Sequence, residues 1–460
     1  MLKIASPRDK VVQRILTDIL GAIYEPSFYE HSYGFRAGRS PHDALHFIRH
    51  HFQGVRWVIE GDIAKCFDEI DHHLLISILR KRIKDERFIR LIWKALRAGF
   101  LSDWGTPQDC LIGTPQGSIV SPILCNIFLN EFDLQVSHRL LPHFNYGKRR
   151  AQPPEYKRLA ATVRWFSHKY RRTGNPSDKA EAIFRRKRFQ SMPSVDPRDP
   201  NFRRLLYVRF ADDWIIGFAG PWSEAIKIRD QCATFLSNIK LRLSPEKTAI
   251  TRASEGWQFL GTRIRVPIGE DRLRRGSRGR ASLGVRLNCP IPHVIKKLSS
   301  AGYCTGNGFP TPRFALFAAD KDEIVITYSS VMRGILNHYS FADNYPRLAH
   351  SLFYILRGSA CKLLAAKFRL RTSRQVLKRF GPFLKGSDRN ALPDPKSPTV
   401  RGGEFKFGRE GVSRTRIFRR ASLALRTDNL ECAVCGSTFR VEMHHVRALK
   451  QLNEKLDPIS

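Results

Sequence analysis

Three aspartates at the ends of predicted strands constrain the fold and chemistry of this chain more than any other feature of its sequence. Asp62 closes a short apolar stretch. Asp212 and Asp213 lie between the apolar runs 207–210 and 214–218, a spacing that predicts a β-hairpin with both acids at its tip. Carboxylates that meet at one edge of a sheet can bind Mg²⁺ and leave positions open for substrate phosphates. Two such ions about 4 Å apart would stabilise both oxygens of an in-line phosphoryl transfer.

The alternative to a metal site is that each aspartate only caps a turn, and the net charge of the chain helps to decide between the two. For a single strand-end aspartate, capping is the more common role. The 460 residues include 79 Lys and Arg against 42 Asp and Glu, a formal net charge of +37. Such a surplus indicates a polyanionic partner, either a nucleic acid or an anionic membrane surface. With 42% apolar residues the chain is expected to fold, and three strand-end aspartates in so basic a protein favour the metal site.

Two classes of protein are excluded by simple counts. No stretch of about 18 uninterrupted apolar residues occurs, since the longest apolar runs, such as 119–129, are broken by Ser, Pro and Asn. Nine cysteines are too sparse for a disulfide scaffold. Seven of them stand singly among apolar neighbours and are predicted to be buried thiols: Cys66, Cys110, Cys125, Cys232, Cys289, Cys304 and Cys361.

Apolar periodicity and turn residues predict the main elements. Strands are expected at 57–59, 207–210 and 214–218, and helices over 7–23, 41–51, 74–98, 119–136, 224–238 and within 335–380. The first helix is expected to bury a face of Val11, Ile15, Ile19 and Ile23, with Leu16 and Leu20 alongside. The helix over 119–136 is expected to be central.

Three segments differ in composition from the rest. Residues 147–209 carry 18 Lys or Arg and only five acids, which indicates an inserted basic segment that contacts an RNA backbone, with a solvated loop as the alternative. Residues 272–280 are rich in Gly and Arg and are predicted to be mobile. Residues 392–411 are rich in Pro and Gly and are predicted to link a small terminal module.

The order of the motifs resembles one known family, the reverse transcriptase/maturase proteins encoded inside group II introns. The resemblance extends over nearly the whole chain. It rests on the ordered blocks 6–10, 33–36 with 38–40, 61–63 with 67–68, 113–117 with 121–122, 209–213, and 243–248 with 259–261. In the block 209–213, Phe210 stands where the family's YADD motif has Tyr, and it keeps the aromatic ring.

The resemblance implies an α+β fold, a right-hand polymerase palm with partial fingers, an α-helical thumb/maturase domain and a small zinc-finger-like C-terminal remnant. We expect reverse transcriptase fingers and palm over 1–265, with the basic insertion at 147–206. The later parts are expected to be a basic connector over 266–329, the maturase domain X or thumb over 330–390, a linker and DNA-binding-like basic segment over 391–425, and a truncated HNH-like module over 426–460.

The resemblance also implies roles for individual palm residues. Asp62, Asp212 and Asp213, with the carbonyl of Ile63, would bind two Mg²⁺ ions as the catalytic site. Phe67 would pack against the incoming sugar and exclude a 2′-hydroxyl, so that dNTPs are selected, with a core phenylalanine as the alternative. Nucleotide contacts would further come from Gln116, Gly117 and Lys247, the lysine as a point charge on the triphosphate or, alternatively, as a solvated side chain.

Basic residues of the fingers and of the thumb helices would contact RNA. Helices with one apolar face and Arg or Lys on the other can lie along a duplex and contact phosphates and 2′-hydroxyls. An ordinary surface charge is the alternative for each residue alone. The candidates are Arg36, Arg39, Arg357, Lys362, Lys367, Arg369, Arg371 and Arg374.

The C-terminal module has Cys432 and Cys435 followed by His444 and His445, and resembles the start of an HNH-type endonuclease. In a complete copy His444 would help to hold a divalent ion, His445 would act as general base, and four cysteines would hold a structural zinc. Two cysteines do not complete a Zn²⁺ site unless His444 or another residue substitutes. We therefore expect no nuclease activity.

Two functions remain open from the sequence. The aspartates favour an enzyme that copies intron RNA into DNA, with intron RNA, dNTPs and a DNA target or primer as partners and without a membrane. The chain begins at the block of Pro7, without the family's first fingers strands; this favours an RNA-binding splicing maturase that has lost polymerase and endonuclease activity, unless the reading frame continues upstream of Met1. Lacking a signal or transit segment, the chain is expected in a mitochondrion as an organelle-encoded protein, with a bacterial cytoplasm as the alternative.

Overall fold

The computed structural model describes residues 7–97, 100–101, 107–108, 113, 118–192, 194–196, 199–267, 284–386 and 391–395, all within the larger of the chain's two units, Met1–Phe407. Several residues assigned from the sequence lie outside the described residues. These are Cys110, Gln116, Gly117, Cys432, Cys435, His444 and His445, with the segments 272–280 and 396–460. None of the described helices combines the length and apolar character that a membrane span requires.

The N-terminal part is mostly helical and contains the first strand of the central sheet. Its helices are α1 (Pro7–Tyr24), α2 (Pro41–His51), α3 (Cys66–Glu69), α4 (His72–Arg80) and α5 (Glu86–Arg97), with a 3₁₀ turn at Glu25–Ser27. Its strands are β1 (Trp57–Asp62) and the two-residue pair β2 (Phe100–Leu101) and β3 (Pro107–Gln108). The predicted bounds of α2 are confirmed, and a reciprocal capping box between Ser40 and Asp43 explains its start.

The single helix predicted over 74–98 is wrong. The structure has two helices there, and the chain turns between Arg80 and Glu86. Asp85 starts the second helix because its carboxylate accepts hydrogen bonds from the backbone N–H groups of Arg87 and Phe88. A side-chain cap inside a continuous apolar pattern therefore broke the helix.

The buried face predicted for α1 is confirmed for Leu16 and Leu20 and wrong for Val11, Ile15 and Ile19. Leu16 and Leu20 are buried among side chains of the same core cluster as α4 and α6, whereas Val11, Ile15 and Ile19 are 40–59% exposed. Apolar residues cover more than half of the circumference of α1, so the pattern alone does not fix the buried side. Packing against the rest of the fold selects it.

The helix predicted as central is confirmed as α6 (Ser121–Gln135), which continues through a π-helical turn at Val136–Leu140 into α7 (Leu141–Phe144). Eleven of the 15 residues of α6 are buried, including Asn126 and Asp133. Because this helix is buried almost all round, its polar side chains need hydrogen-bond partners from neighbouring elements.

The basic insertion forms a helical hairpin of α8 (Pro154–Thr173) and α9 (Pro176–Ser191). Gly174, at φ +69°, ends α8, and the side chain of Asn175 caps α9. At the base, the carboxylate of Asp199 accepts a hydrogen bond of 2.6 Å from the N–H of Ala151. The segment is therefore helical and not a loop, and its contact with an RNA backbone stays a prediction.

The central sheet is completed by β4 (Arg204–Phe210), β5 (Asp213–Ala219) and, after α10 (Trp222–Asn238), β6 (Ala249–Arg252). Its strand order is β4-β5-β1-β6, and all neighbours are antiparallel. The predicted hairpin of β4 and β5 is confirmed. Because β1 pairs with β5, the end of β1 that carries Asp62 and the end of β5 that carries Asp213 lie at the same end of the sheet.

A second sheet and a group of helices follow. β7 (Trp257–Phe259), β8 (Thr262–Arg265) and β9 (Arg286–Asn288) form a three-stranded antiparallel sheet. The helices are α11 (Ile291–Ser300), α12 (Lys321–His338), α13 (Tyr345–Lys367) and α14 (Ser373–Phe380), with a 3₁₀ turn at Phe314–Leu316. α13 packs against both α12 and α14.

The central sheet separates two apolar cores. Ile59 and Ile216 face one core with α4, α6 and α10, whereas Val58 and Ile215 face the other with α2, the second sheet and α11–α14. This alternation is the normal consequence of strand geometry. All six cysteines within the described residues are buried free thiols, as predicted, and the fold is of the predicted α+β class.

Candidate active site

Asp62 and Asp213 are direct partners across two neighbouring strands. Asp62 is the last residue of β1 and Asp213 the first of β5, and the antiparallel register pairs their Cα atoms. Side chains of such a pair project from the same face of the sheet, with Cβ atoms about 4.5–5.5 Å apart. The carboxyl of Asp213 is hydrogen-bonded to that of Asp62. The structure therefore brings together two of the three acids that the sequence placed far apart.

Asp212 belongs to the tight turn between β4 and β5. Phe210 pairs with Asp213, so the turn consists of only Ala211 and Asp212, and Ala211 has a φ of +57°. A Cβ atom on Gly34 would lie 2.2 Å from the backbone nitrogen of Ala211. Only glycine fits at this contact, because any side chain would displace the turn.

Repulsion between the acids changes their protonation. Burial, together with the negative charges of Asp212 and Asp62, raises the pKa of Asp213 to about 6 against the opposing effect of Lys247. Burial and the charge of Asp62 also raise the pKa of Asp212. Carboxylates that repel one another in this way provide a favourable site for a cation.

Lys247 supplies a cation at this place. Its Nζ lies 2.9 Å from Oδ2 of Asp62, and this hydrogen bond raises the pKa of the lysine. The N–H of Ser244 donates to the carbonyl of Asp62 and so places Lys247 beside the acids. Lys247 is 68% exposed, so the pair is free to open towards solvent.

The backbone next to Asp62 offers a further oxygen. Ile63 forms an isolated antiparallel bridge with Leu243. Its two hydrogen bonds are made by flanking residues: the N–H of Ala64 donates to the carbonyl of Arg242, and the N–H of Ser244 donates to the carbonyl of Asp62. The carbonyl of Ile63 is therefore left out of the bridge. As they stand, the described residues contain no group of three or more His, Cys, Asp and Glu side chains placed to hold a metal ion.

A buried ion pair lies beneath the hairpin, and sequence reasoning missed it. Nε and Nη2 of Arg209 donate to the two carboxylate oxygens of Asp133 at 2.8 and 2.6 Å, and both side chains are fully buried. The hydroxyl of Tyr207 donates to the same carboxylate. Nη1 of Arg209 donates to Asn126 and to the carbonyl of Ala211 in the turn. A lone arginine within an apolar strand was the available signal.

Phe67 contacts Phe35, the residue that follows Gly34 at the hairpin turn. It is half-buried, and its ring makes an edge-to-face contact with Phe35, with the centroids 6.1 Å apart. Phe35 follows Gly34, is 55% exposed and has a φ of +56°. Sequence reasoning missed Phe35, although it stands within a block that was singled out.

Glu60 is another acid that sequence reasoning missed. A cavity of about 180 Å³ lies between the acids and the turn of β7 and β8, lined among others by Glu60, Asp62, Asp213 and Lys247. Burial raises the pKa of Glu60, although the hydroxyl of Thr251 donates to it at 2.7 Å. Its position two residues before Asp62, on the same face of β1, was the available signal.

Arg36 was predicted to contact RNA, and the structure corrects this. The residue is 8% exposed, and its guanidinium pairs with Glu25 and donates to the carbonyls of Tyr29 and Ser32. Its donors are directed into the protein. Arg39 is half-exposed and lies over the ring of Tyr33.

The RNA contacts predicted within residues 357–374 differ in accessibility. Lys362 and Lys367 donate to the carbonyls of Pro310 and Phe317. Arg357 stacks over the ring of Phe353 at 4.5 Å. By contrast, exposed guanidinium groups are found around the end of α13 and the start of α14, at Arg369, Arg371 and Arg374.

Comparison with known proteins gives two family matches. Residues 1–151 match the model described as reverse transcriptase (RNA-dependent DNA polymerase), and residues 284–418 match the model described as type II intron maturase. These ranges contain Asp62 and the helices α11–α14, respectively. Asp212, Asp213 and the helical hairpin lie between the two matches.

Three curated relatives are similar over most of the chain. An uncharacterised 91 kDa protein in a cob intron of Schizosaccharomyces pombe is 37% identical over 98% of this chain and 56% of its own length. The group II intron-encoded protein LtrA of Lactococcus lactis is 32% identical over 97% of this chain and 77% of its own length. An uncharacterised mitochondrial protein of Marchantia polymorpha is 32% identical over 81% of this chain and 55% of its own length.

This chain spans only 54–56% of the length of the Schizosaccharomyces pombe protein and of the putative COX1/OXI3 intron 1 and intron 2 proteins of Saccharomyces cerevisiae. Among solved structures, apo telomerase from Candida tropicalis is similar at 12% identity, with a TM-score of 0.38 over 92% of this chain and 60% of that one. A likeness this remote carries no argument about the chain.

Proposed function

The chain belongs to the family of group II intron-encoded proteins, and on that premise we propose that it catalyses RNA-directed DNA synthesis and binds intron RNA to assist its splicing. The observation that carries the catalytic part is the cross-strand pair of Asp62 and Asp213 with Asp212 in the adjoining turn. Intron RNA, a DNA primer or target, and dNTPs are the proposed partners.

The residues at this edge fit divalent cations. Asp62 and Asp212 offer hard oxygens, the carbonyl of Ile63 is left out of its bridge, and repulsion raises the pKa of the neighbouring acid. Two bound Mg²⁺ ions would supply the charge that stabilises the attacking and leaving oxygens. We propose Asp62, Ile63, Asp212 and Asp213 as the residues that hold them.

The other residues of the site would orient the nucleotide. Lys247 is exposed and can leave Asp62 for the triphosphate, where it acts as a mobile positive charge. Phe67 is held by Phe35 beside the hairpin, and its ring would exclude a 2′-hydroxyl. Gln116 and Gly117 remain proposed contacts on sequence grounds alone.

RNA binding is supported by the distribution of charge. The exposed guanidinium groups of Arg369 and Arg371, in the loop after α13, and of Arg374, in α14, lie within the residues that match the maturase model. The helical hairpin adds basic side chains interleaved with aromatic ones, since Trp165 and Phe184 are 58% and 68% exposed. Cations beside exposed rings are typical of surfaces that bind RNA backbone and bases.

A maturase that binds intron RNA without making DNA is the second candidate. The match of residues 284–418 to the intron maturase model favours it. In that case the acids at the edge of the sheet would be dispensable for splicing.

Primer extension separates the two candidates. The purified chain, given an RNA template, a DNA primer, dNTPs and Mg²⁺, is expected to extend the primer, and Asp212→Asn is expected to abolish the product. An intron-splicing assay on the same samples is the control for folding. If the wild type assists splicing and makes no DNA, the enzyme proposal fails and the maturase proposal stands; if Asp212→Asn still makes DNA, the metal assignment fails.

We propose a mitochondrial location. Its support is the similarity to the mitochondrial protein of Marchantia polymorpha, and the bacterial relative LtrA supports the alternative of a bacterial cytoplasm. Immunoblotting of purified mitochondria tests it, and detection only outside them contradicts the proposal.

A further inference from the structure

A second cavity, of about 360 Å³, lies at the opposite end of the central sheet from the acids. We call it the Trp57 pocket; its walls are the start of β1 (Arg56, Trp57), the start of α10 (Trp222) and the base of the helical hairpin (Arg150, Asp199, Phe202). Trp57 is the first residue of β1 and Asp62 the last, which separates them by roughly 17 Å at ~3.3 Å per residue. The pocket is therefore distinct from the site proposed for catalysis.

Aromatic rings form much of this pocket. The rings of Trp57 and Trp222 are 4.6 Å apart, and Trp222 is 44% exposed. Phe202 forms part of another wall. The indole Nε1 of Trp57 is buried and has no hydrogen-bond partner among the described residues. The exposed ring of Trp222 is thus available to stack against a ligand.

The pocket also carries two guanidinium groups that form no ion pair among the described residues. Arg56 lies 5.9 Å from the centre of the Trp57 ring, and Arg150 lies 5.1 Å from that of Phe202. Neither guanidinium forms an ion pair within the part of the chain that the structure describes. Burial lowers the pKa of Arg150, and the charge of Arg56 adds to this effect, whereas the carboxylates of Asp199 and Asp196 oppose it. An anion between the two guanidinium groups would also oppose it.

The one carboxylate in the wall is already used. Asp199 accepts hydrogen bonds from the N–H groups of Ala151 and Asn201, which lower its pKa. Arg203, also in the wall, is paired with Glu224 through two hydrogen bonds. The pocket thus offers a ligand the exposed ring of Trp222 and the guanidinium groups of Arg56 and Arg150, of which Arg150 also donates to the carbonyl of Gly54. A ring and two guanidinium groups together suit a base and a phosphate.

We propose that the Trp57 pocket binds an unpaired nucleotide of an RNA strand, with the base stacked on Trp222 and the phosphate between Arg56 and Arg150. The inference rests on the proposed binding of intron RNA and assigns it a specific site. An RNA strand is favoured over a free nucleotide because the pocket opens at the base of the basic helical hairpin, so that a strand bound along α8 and α9 can continue into it.

Binding of a labelled uridine trinucleotide tests this site, since a probe this short depends strongly on a single stacking contact. Trp222→Ala is expected to weaken binding about tenfold, the size of a lost base–ring stack. Trp222→Phe keeps a ring and is expected to stay within about twofold of the wild type. Ultraviolet cross-linking of a longer oligouridylate should label peptides that contain Trp57 or Trp222.

Charge is tested with a matched pair of variants. Arg56→Ala should reduce the slope of log affinity against log salt by about one, as expected for a lost phosphate contact. Arg229→Ala removes the same charge from the exposed part of α10, where Arg229 pairs with Asp230, and should leave the slope unchanged. Equal effects of the two arginine variants would overturn the phosphate assignment.

Other outcomes identify other ligands. Unchanged affinity of Trp222→Ala, with cross-links confined to other peptides, would overturn the proposal. If uridine monophosphate competes as strongly as the trinucleotide does, the ligand is a free nucleotide. If the deoxy trinucleotide binds more tightly than the ribo trinucleotide, the ligand is a DNA strand. Either result overturns the RNA assignment. Because these assays measure binding alone, absence of DNA synthesis in the wild type would reject the polymerase proposal without affecting this one.

Discussion

Arg209 and Asp133 form a fully buried, two-point ion pair that joins β4 to α6 directly beneath the turn of Asp212. Burial alone would lower the pKa of Arg209, but the charge and hydrogen bonds of Asp133 raise it above its usual value. The same guanidinium donates to the carbonyl of Ala211. The position of the acidic turn thus depends on a charge pair in the core.

Asp133→Asn is expected to destabilise the folded chain by about 3–5 kcal/mol, because it leaves the guanidinium of Arg209 buried without its counter-charge. Chemical denaturation measures the loss. The control is Asp230→Asn, which breaks the exposed pair of Asp230 with Arg229 and should cost less than about 1 kcal/mol. A cost as small for Asp133→Asn as for the control would contradict the role given to this pair.

Gly34→Ala is expected to reduce DNA synthesis about 100-fold, because the new methyl group would occupy the space of the Ala211 backbone and move the acids. Primer extension under saturating substrate measures this. Gly334→Ala is the matched control, since no atom lies within 4 Å of the added Cβ in α12; it should retain activity and slightly stabilise the helix. Full activity of Gly34→Ala would show that the turn tolerates the displacement.

Asp213→Asn is expected to raise the thermal stability of the metal-free chain by a few degrees near pH 7. The pKa of Asp213 is about 6 when folded, against an ordinary 3.8, so the folded state holds a proton that the unfolded state loses as pH rises through this window. The contribution of Asp213 to stability therefore falls between about pH 4 and pH 6 and stays low above it.

Thermal melts of Asp213→Asn and wild type across this range provide the check. The advantage of the variant should vanish near pH 4, where Asp213 of the wild type is protonated. Addition of Mg²⁺ at pH 7 should stabilise the wild type more than the variant. Asp18→Asn, which removes an exposed carboxylate paired with Arg14, should give no advantage at any pH; a constant advantage of Asp213→Asn across the range would refute the titration.

Phe67→Val is expected to increase the use of ribonucleotides relative to dNTPs by at least about tenfold, because the smaller side chain leaves room for a 2′-hydroxyl; one relieved steric contact is worth about 1–3 kcal/mol. Extension with each nucleotide type gives the ratio. Phe67→Tyr keeps the ring and should retain the selection of dNTPs. An unchanged ratio for Phe67→Val would indicate that Phe67 serves only as packing for Phe35.

RNA affinity is expected to fall steeply with salt, because a chain of net charge +37 releases many counterions from the RNA backbone. Filter binding at several salt concentrations measures the slope. Removal of Arg371 and Arg374 together should lower the slope by about two, whereas Arg36→Ala should affect stability and leave the slope unchanged, since Arg36 is bonded within the protein. A flat salt dependence of the wild type would refute the charge argument.

Sequence reasoning succeeded where local chemistry controls the outcome. The start of α2 follows from its capping residues, and the hairpin of β4 and β5 follows from two apolar runs separated by a short polar turn. It failed at α4 and α5, where one capping aspartate interrupts a continuous apolar pattern. It failed in part at α1, where too many apolar residues leave several faces equally suitable for burial.

The sequence by itself determined the types of residue in the candidate site, their order along the chain and the family resemblance, because motifs and charge are local properties of the chain. Only the tertiary structure decided which aspartates are cross-strand partners, that Arg209 pairs with Asp133, and that Arg36 is directed inwards. Strand register and buried partners depend on contacts between distant segments, and no short stretch of sequence contains both members of such a contact.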